Sequence, residues 1–485
     1  IMGWFYRAAY DYKGKYLAEV NGRYDGTSRF PRGKRYGFFP SFSAAYRISE
    51  EAFFEPLRKT VDNLKIRLSY GSLGNQQIGY YDFIQTITTK GSMGDYSFDG
   101  TILGQHATVS DPVSGNQTWE KVISKNLGAD LNMFSNRLSL TADFYIRDTK
   151  GILGKGKSLP SIYGANEPQV NSNNLRTKGY ELVLGWRDSF KLAGSTFSYG
   201  ITGTFSDYTA EYTKCDNPSG LIGDPYVGKK YGEIWGYKVD GLFRNDEEAA
   251  EYASRVDLSK VAAGYYSATG AYGKGVRGGD IKYLDLDGSG IVDGGKGTLE
   301  DPGDRRVIGN SSPRYQYGLT LNLSWYGFDL SVFMQGIGRL DWYPGADNLR
   351  FWGPYSRPYA TFIPKNFMSQ VWSESNPDAY LPRARAYTSL NSTQGTAYYT
   401  NDRYLQNLAY CRLKNLTLGY TIPKRLTSKV GIKECRVYFS GENLATWSAL
   451  KNDFLDPEQA AANSDKKSNV YPWCRTYSVG LNLTF

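Results

Sequence analysis

The sequence contains little of the side-chain chemistry on which zinc enzymes and disulfide-stabilised proteins depend. Its 485 residues include one histidine, His106, and four cysteines, Cys215, Cys411, Cys435 and Cys474. A single histidine leaves no His-based zinc centre and little for a Ser-His-Asp triad. The cysteines show no CxxC spacing and are too sparse for a disulfide scaffold. We therefore expect no enzymatic activity.

Long apolar runs and dense basic clusters are also missing. No apolar run approaches the ~20 residues of a membrane helix, and the mean hydropathy is −0.50. Lys and Arg are scattered although the net charge is +9, so the sequence predicts no nucleic-acid partner. The low hydropathy does not exclude a membrane protein, because a strand of a membrane barrel presents only every second residue to lipid.

Aromatic residues and glycine are abundant instead. The chain has 41 Tyr and 54 Gly, and aromatic residues make up 15% of it. Tyr favours strands and membrane interfaces, and Gly favours turns and tight strand packing. The chain is also too long for one ordinary soluble core. A large barrel avoids that limit, because it adds strands around a wall rather than thickening a core.

The strongest pattern is an alternation of apolar and small polar residues with a period of two. In the segment 477–485 the odd positions are Tyr, Val, Leu, Leu and Phe, and Ser, Gly, Asn and Thr lie between them. Several such segments run about 10–13 residues, whereas a tilted membrane strand needs about 9–11. The sequence predicts about thirteen strands, near 3–11, 15–24, 37–48, 63–72, 118–133, 137–149, 176–187, 194–209, 313–325, 327–338, 404–420, 432–444 and 474–485. The predicted fold class is all-β, a transmembrane antiparallel β-barrel.

The connections between these segments are of two kinds. Short ones lie at 12–14, 134–136 and 326–327, and long ones lie at 73–117, 210–312, 339–403 and 445–473. If Phe485 lies on the periplasmic side, all four long connections are extracellular loops and all three short ones are periplasmic turns. Two helices are predicted within the connections, at 50–61 and 246–256.

Several segments resemble the SusC/RagA family of TonB-dependent transporters. The matching segments are Arg23–Phe30, Tyr36–Ser49, Leu68–Asn75, Asn136–Tyr145, Gly278–Tyr283, Val307–Tyr315, Arg412–Pro423, Gly441–Leu444 and Arg475–Phe485. They span nearly the whole chain in a fixed order. The resemblance implies a 22-stranded barrel, of which residues 1–485 would be the C-terminal part. The N-terminal plug domain and the first strands would be absent from this chain.

The same resemblance implies a function. It implies TonB-driven import of oligosaccharides or peptides through the outer membrane of a Gram-negative bacterium. It also implies two protein partners: TonB, which would act through the absent plug, and a SusD-like surface lipoprotein that rests on the long loops. Outer-membrane lipid would surround the wall.

One motif in the long 210–312 connection resembles a calcium-binding loop. Carboxylate, hydroxyl and carbonyl oxygens recur there at the spacing that Ca²⁺ prefers. The candidate ligands are Asp285, Asp287, Ser289, Ile291 through its carbonyl, and Asp293. The last position of the loop should be a bidentate Glu but is Lys296, and Glu300, Asp301 or Asp304 could substitute. The alternative is a metal-free Asp/Gly turn.

The 339–403 connection is rich in aromatic rings, which stack on sugar faces and on peptides. The candidate ligand contacts are Trp342, Tyr343, Phe351 and Trp352. The alternative is that these rings pack the loop onto itself or onto a partner.

Two other functional classes remain open from the residues alone. A soluble or surface-anchored β-rich glycan-binding protein or adhesin would also alternate, and a glycosidase would need a carboxylate pair. No carboxylate pair stands out by its spacing. An amphipathic last strand that ends in Phe favours the outer-membrane barrel, because a soluble sandwich has no need of an exposed terminal aromatic.

Overall fold

The computed structural model describes most of the chain. The described residues are 1–90, 97–98, 101–102, 106–156, 159–266, 275–357, 359, 361, 363–385, 388–390, 395–451, 455–460 and 473–485. Within these ranges, no helix is long and apolar enough to cross a membrane.

Thirteen long strands form one antiparallel sheet, which confirms the predicted strand number and fold class. Each strand is hydrogen-bonded to the strands that precede and follow it among these thirteen. They are β1 (Met2–Tyr12), β2 (Tyr16–Gly26), β3 (Tyr36–Arg47), β4 (Val61–Asn75), β5 (Glu120–Met133), β6 (Leu138–Lys155), β7 (Gln169–Leu192), β8 (Ser195–Lys214), β9 (Arg314–Trp325), β10 (Phe328–Arg339), β11 (Tyr410–Thr421), β12 (Glu434–Ser448) and β13 (Thr476–Thr484). Most contain 11 residues or more.

The short turns explain how adjacent strands pair without a gap in the ladder. Ala193 and Gly194 join β7 to β8, and both have positive φ angles, 49° and 84°. Tyr326 and Gly327 join β9 to β10 in the same way, with φ angles of 51° and 84°. Two consecutive residues with positive φ give a hairpin turn whose twist matches that of the strands. The register then follows directly, with Trp325 opposite Phe328.

The short helix predicted at 50–61 is confirmed only in part. The structure has two 3₁₀ helices there, Ile48–Glu50 and Ala52–Leu57, and Pro56 lies within the second. Proline has no backbone N–H and its ring clashes with the carbonyl of the preceding turn, so a regular α-helix cannot continue through it.

The chain divides into two compact units, which are described separately. The first comprises Ile1–Val183, Tyr208–Ser219 and Asp224–Lys230. Besides wall strands it has two small hairpins in the connection between β4 and β5, formed by Ile87–Lys90 with His106–Val109 and by Ser97–Phe98 with Thr101–Ile102. A small buried cluster of Phe30, Phe39 and Trp119 lies where two connections meet the strands.

The second unit comprises Leu184–Asp207, Gly220–Gly223 and Tyr231–Phe485. Its long connections contain three short strand pairs, Glu233–Tyr237 with Arg305–Asn310, Val239–Leu242 with Ile281–Tyr283, and Asp341–Trp342 with Gln406–Asn407. The last of these corrects the strand predicted at 404–420, because β11 begins only at Tyr410.

The helix predicted at 246–256 is confirmed as α1 (Asp246–Ala253), three residues shorter than predicted. The side chain of Asn245 caps its first turn by accepting a hydrogen bond from the Glu248 backbone N–H at 2.8 Å, and acidic residues fill that turn. The remaining helical turns are short: Ser161–Tyr163, Ala263–Tyr266, Leu349–Trp352, Gly353–Tyr355, Met368–Gln370, Thr388–Leu390, Lys424–Thr427 and Ser428–Val430.

Candidate functional site

The sheet of the second unit has one apolar face. The register places five apolar side chains directly opposite one another on five neighbouring strands, Leu323, Leu330, Leu418, Phe439 and Val479. Leu321 lies opposite Val332 on the same face. Because successive side chains of a strand point to opposite faces, this row places apolar groups on one side of all five strands.

The other face of the same strands is small and polar. One residue along from the apolar row, the register aligns Asn322, Ser331, Thr417, Ser440 and Ser478. The hydroxyl oxygens of Thr417 and Ser440 lie 3.3 Å apart and share a hydrogen bond. A sheet that is apolar on one side and polar on the other suits a boundary between an apolar environment and water.

The first unit repeats this arrangement. Its apolar row runs over six strands, Tyr10, Ala18, Ala44, Leu68, Leu127 and Phe144. On the opposite face, Arg67 donates hydrogen bonds to Asp130 at 2.9 Å and to Asp143 at 3.0 Å. Lys65 lies 3.2 Å from the same Asp130 carboxylate. Charged side chains therefore occur in paired form on the polar face.

A concavity of about 460 Å³ lies on this polar face. Its lining includes the small side chains of Ala9, Ser43 and Ala45 and the charged side chains of Glu19 and Arg67. Small residues beside charged groups provide room for a segment of another molecule or domain.

Aromatic side chains mark both ends of the apolar face in the first unit. At the tight-turn end, the rings of Tyr16 and Tyr46 stack with centroids 5.0 Å apart. At the other end, Tyr24 stacks on Trp4 at 6.0 Å and on Tyr36 at 5.4 Å. Tyr24 follows Tyr16 by eight residues of β2, which is about 26 Å along a strand. Membrane barrels carry an apolar band between two such aromatic girdles.

The long connections of the second unit form a folded structure of their own. We call the described residues within 231–313 and 340–409 the loop body. Its core contains fully buried side chains from both connections, among them Phe243, Leu258, Tyr265, Ile281, Tyr283, Trp352 and Tyr404. A core of this size holds the two connections together as one packed body rather than as separate flexible loops.

The candidate ligand-contacting rings all lie in the loop body but differ in exposure. Trp342 and Tyr343 are partly exposed, whereas Phe351 and Trp352 are buried. The Trp352 ring packs against Tyr404 with centroids 5.0 Å apart, and its indole N–H donates to the Pro344 carbonyl at 3.2 Å. Both buried rings therefore serve the packing of the loop body in this structure.

A buried ion pair in the loop body was not anticipated from the sequence. Arg385 donates two hydrogen bonds to the Asp280 carboxylate, and the side chains are only 7% and 1% exposed. The Arg277 backbone N–H donates to the same carboxylate at 2.8 Å, and the Arg385 guanidinium lies 4.1 Å from the centre of the Tyr265 ring. The partners are 105 residues apart in the chain, and no local pattern marks so distant a pair.

The structure brings together two of the five predicted calcium ligands with a third carboxylate. Carboxylate oxygens of Asp285, Asp287 and Asp304 all lie within 4.8 Å of one another. Asp304 is one of the three residues that could replace the missing Glu. The Asp293 carboxylate is not in this group; it accepts a hydrogen bond from the Gly295 N–H at 2.7 Å. The Ser289 hydroxyl donates to the Ile291 carbonyl at 2.9 Å.

The three carboxylates have different surroundings. Asp304 is buried and accepts hydrogen bonds from the backbone N–H groups of Leu286, at 2.6 Å, and Asp293, at 2.9 Å. Burial raises the pKa of Asp304, because the charged form loses hydration. Asp287 is exposed, and hydrogen bonds from Ser289 hold its pKa below the usual range. Three carboxylates converging from one loop form a negatively charged site that suits a hard cation.

Comparisons with known proteins agree with this geometry. Residues 3–444 match the family model described as TonB dependent receptor-like, beta-barrel. The chain is 27% identical to the TonB-dependent receptor P3 of Formosa agariphila, over 99% of this chain and 45% of that protein. It is 24% identical to the TonB-dependent receptor SusC of Bacteroides thetaiotaomicron, over 100% of this chain and 44% of that protein.

Solved structures share the fold. The structure of the RagAB peptide transporter superposes with a TM-score of 0.73 at 21% identity, covering 100% of this chain and 47% of that chain. The chain thus spans about half the length of the proteins that it matches. Because the family model matches nearly the whole chain, the protein belongs to the TonB-dependent receptor-like β-barrel family.

Proposed function

We propose that the protein forms the C-terminal part of an outer-membrane importer of large nutrients. The wall strands would cross the membrane with their apolar face toward lipid and their polar face toward a conduit. The two-faced sheet between aromatic girdles carries this proposal, because a soluble β-protein has no use for an apolar outer face across many strands. Family membership and the names of the relatives support TonB as the energy-coupling partner.

The substrate would be an oligosaccharide or a peptide. The RagAB structure is named a peptide transporter, so peptides are one of the two substrate classes to be tested. The full-length gene should be deleted in its native host, and uptake of labelled oligosaccharides and peptides measured with and without complementation. We expect complementation to restore uptake of one class, and loss of TonB to abolish it. If the deletion strain took up both substrate classes as fast as the parent strain, the proposal would be contradicted.

A SusD-like surface lipoprotein is the proposed second partner, and exposure of the loops suggests where it rests. Many aromatic rings of the loop body are buried, although Tyr359 is 83% exposed. In the first unit, the connections opposite the tight turns expose Tyr80, Tyr81, Ile84, Ile162 and Tyr163, with Ile162 95% exposed. Exposed apolar groups of this kind commonly mark interaction surfaces.

Hydrogen bonds and a cation–π contact hold the segments that carry these exposed residues. Arg29 lies 4.2 Å from the centre of the Tyr80 ring and donates a hydrogen bond to the Ile78 carbonyl. The side-chain amide of Asn166 donates to Asp111 at 2.8 Å and so ties the segment after Ile162 to the neighbouring connection. A surface that is already ordered loses less conformational entropy on binding than a mobile one.

The proposed partner can be tested by purifying the protein in mild detergent and measuring the stoichiometry of the complex. This measurement shows whether a lipoprotein accompanies the barrel.

Stacking of the ligand on Trp342, Tyr343, Phe351 and Trp352 stays a prediction. Trp342 and Tyr343 are the two whose partial exposure suits direct contact. For Phe351 and Trp352, contact with a ligand would require the loop body to open, because both are packed within it. Separate alanine variants of Trp342 and Trp352 distinguish the roles, since loss of packing lowers protein stability and loss of stacking lowers only affinity.

We further propose that Ca²⁺ stabilises the loop body. Asp285, Asp287 and Asp304 would supply carboxylate oxygens, and Ser289, Ile291 and Asp293 remain candidates for the other positions. Proximity of the three carboxylates supports this proposal, as like charges held together are unfavourable without a cation. Chelation should lower the melting temperature and added Ca²⁺ should restore it. Unchanged melting in chelator would show that the turn works without metal.

A further inference from the structure

Four exposed lysines lie together on the apolar face of the first unit. They are Lys121 and Lys125 on β5, Lys150 on β6 and Lys178 on β7. Lys121 lies directly opposite Lys150, and Lys125 lies opposite Ile146 on one side and Tyr70 on the other. Lys121 is one residue inside the end of β5, where the long connection from β4 enters. The four lysines thus belong to the long-connection end of the wall.

The register determines which face carries these lysines. Lys125 is two residues from Leu127, which lies opposite Phe144 in the apolar row. Lys178 is two residues from Tyr180, whose ring lies 6.4 Å from that of Phe144. Because side chains two residues apart share a face, the lysines continue the apolar surface and do not face the charged polar side.

The protein balances the charge of this patch only in part. Asp148 lies on the same face and attracts Lys125 and Lys150, but its carboxylate is paired with Arg176 at 2.6 Å. Glu211 attracts Lys178, but its carboxylate is paired with Lys230. Within the described ranges, none of the four lysines has a carboxylate within 4.0 Å. Like charges directly opposite each other on paired strands are destabilising. A bound anion would therefore stabilise the Lys121–Lys150 pair.

We propose that this patch binds the phosphate of an anionic lipid headgroup in the outer leaflet. This inference rests on the proposed membrane-spanning wall and adds a specific lipid contact to it. Ammonium groups at the boundary of an apolar surface would meet headgroup phosphates, while Leu127, Phe144 and Tyr180 would contact the acyl chains. The continuity of cationic and apolar surface favours a phosphorylated lipid over free phosphate, which would gain nothing from the apolar row.

The test uses the full-length transporter reconstituted into nanodiscs. The nanodiscs contain phosphatidylcholine alone, phosphatidylcholine with lipid A, or phosphatidylcholine with dephosphorylated lipid A. The patch variant carries K121Q, K125Q, K150Q and K178Q. The matched control carries K13Q, K59Q, K191Q and K424Q, which change the same charge near the tight-turn end of the strands. Bound lipid is counted by native mass spectrometry, with inorganic phosphate added as a competitor.

We expect wild-type protein and control to retain lipid A, and the patch variant to retain at least about tenfold less, given the contribution of each basic residue near an anionic surface. Dephosphorylated lipid A should bind as weakly to wild type as lipid A does to the patch variant. Equal retention by patch variant and wild type would overturn the inference, as would complete displacement of lipid A by inorganic phosphate.

The result separates this inference from the proposed function. If the wild type enters nanodiscs but shows no preference for lipid A, only the lipid site is wrong. If the wild type cannot be incorporated into any bilayer, the membrane wall itself is wrong, and the lipid site with it.

Discussion

Tyr16 and Tyr46 stack face to face across two neighbouring strands, with ring centroids 5.0 Å apart and planes only 4° from parallel. Tyr12 extends this group on the next strand, 6.4 Å from Tyr16. Together they form one aromatic edge of the apolar band, and Trp4, Tyr24 and Tyr36 form the other. Tyr rings prefer the boundary between an apolar and a wet environment, so two such edges fix the depth of the wall in a membrane.

Leu321 and Asn322 are adjacent residues on opposite faces of β9 and provide a matched pair. Leu321→Arg should destabilise the barrel by about 2–4 kcal/mol, because it places a charge against lipid near the middle of the membrane. Asn322→Arg should have a much smaller effect, because it faces the polar side. Urea unfolding of the reconstituted protein measures both, and equal losses for the two variants would show that the faces were assigned incorrectly.

The buried Asp280–Arg385 pair should hold the loop body together. Asp280→Asn leaves the Arg385 charge buried without a partner, which commonly costs about 3–5 kcal/mol. Amide hydrogen exchange should therefore show easier local opening of the loop body. The control is Glu251→Gln, which breaks an exposed ion pair with Arg255 whose side chains are 75% and 67% exposed. Such pairs contribute about 0–1 kcal/mol, so the control should exchange like wild type.

The calcium proposal is tested on the loop by removing one carboxylate. Asp285→Asn should lower the calcium-dependent increase in melting temperature, because a neutral amide binds Ca²⁺ more weakly than a carboxylate. Glu300→Gln is the control, since Glu300 is exposed and lies outside the group of three carboxylates. A full calcium response in Asp285→Asn, or a lost response in Glu300→Gln, would contradict the assignment of ligands.

The exposed connections of the first unit give a test of partner docking. Ile162→Asp places a charge at a surface that is expected to become buried, so the lipoprotein should co-purify in reduced amount. Phe53→Asp is the control, because Phe53 is 70% exposed but lies in a connection at the tight-turn end. Reduced co-purification of Phe53→Asp alone would place the partner at the wrong end of the barrel.

The strands of the wall could be predicted from the sequence because the alternation of apolar and polar residues is visible over neighbouring positions. Alternation over ten or more residues identifies a strand and its two faces at once, as Leu321, Asn322 and Leu323 illustrate. The positive-φ turns, such as Tyr326–Gly327, then fix how adjacent strands align. At 50–61 the structure has 3₁₀ turns instead of one continuous helix, because Pro56 rules out a regular α-helix at that point.

The loop body could be predicted only in part, because its contacts join distant segments. The sequence left Glu300, Asp301 and Asp304 as equal candidates to complete the calcium loop, and only the fold brings Asp304 to Asp285 and Asp287. The sequence predicted that the 339–403 connection is rich in aromatic rings. It did not predict that Trp352 is buried, because its ring packs against Tyr404, which lies much later in the chain. No pattern over neighbouring residues predicts burial that depends on a contact with a distant segment.

The central claim is that the apolar face of the sheet contacts lipid while the polar face contacts water. Leu321→Cys and Asn322→Cys, each in a background where Cys215, Cys411, Cys435 and Cys474 are replaced by Ser, should be labelled with an environment-sensitive fluorophore in reconstituted full-length protein. We expect the label at position 321 to be quenched by lipids with brominated acyl chains and the label at 322 by aqueous iodide. Quenching of both labels by iodide, with no effect of brominated lipid, would contradict the account.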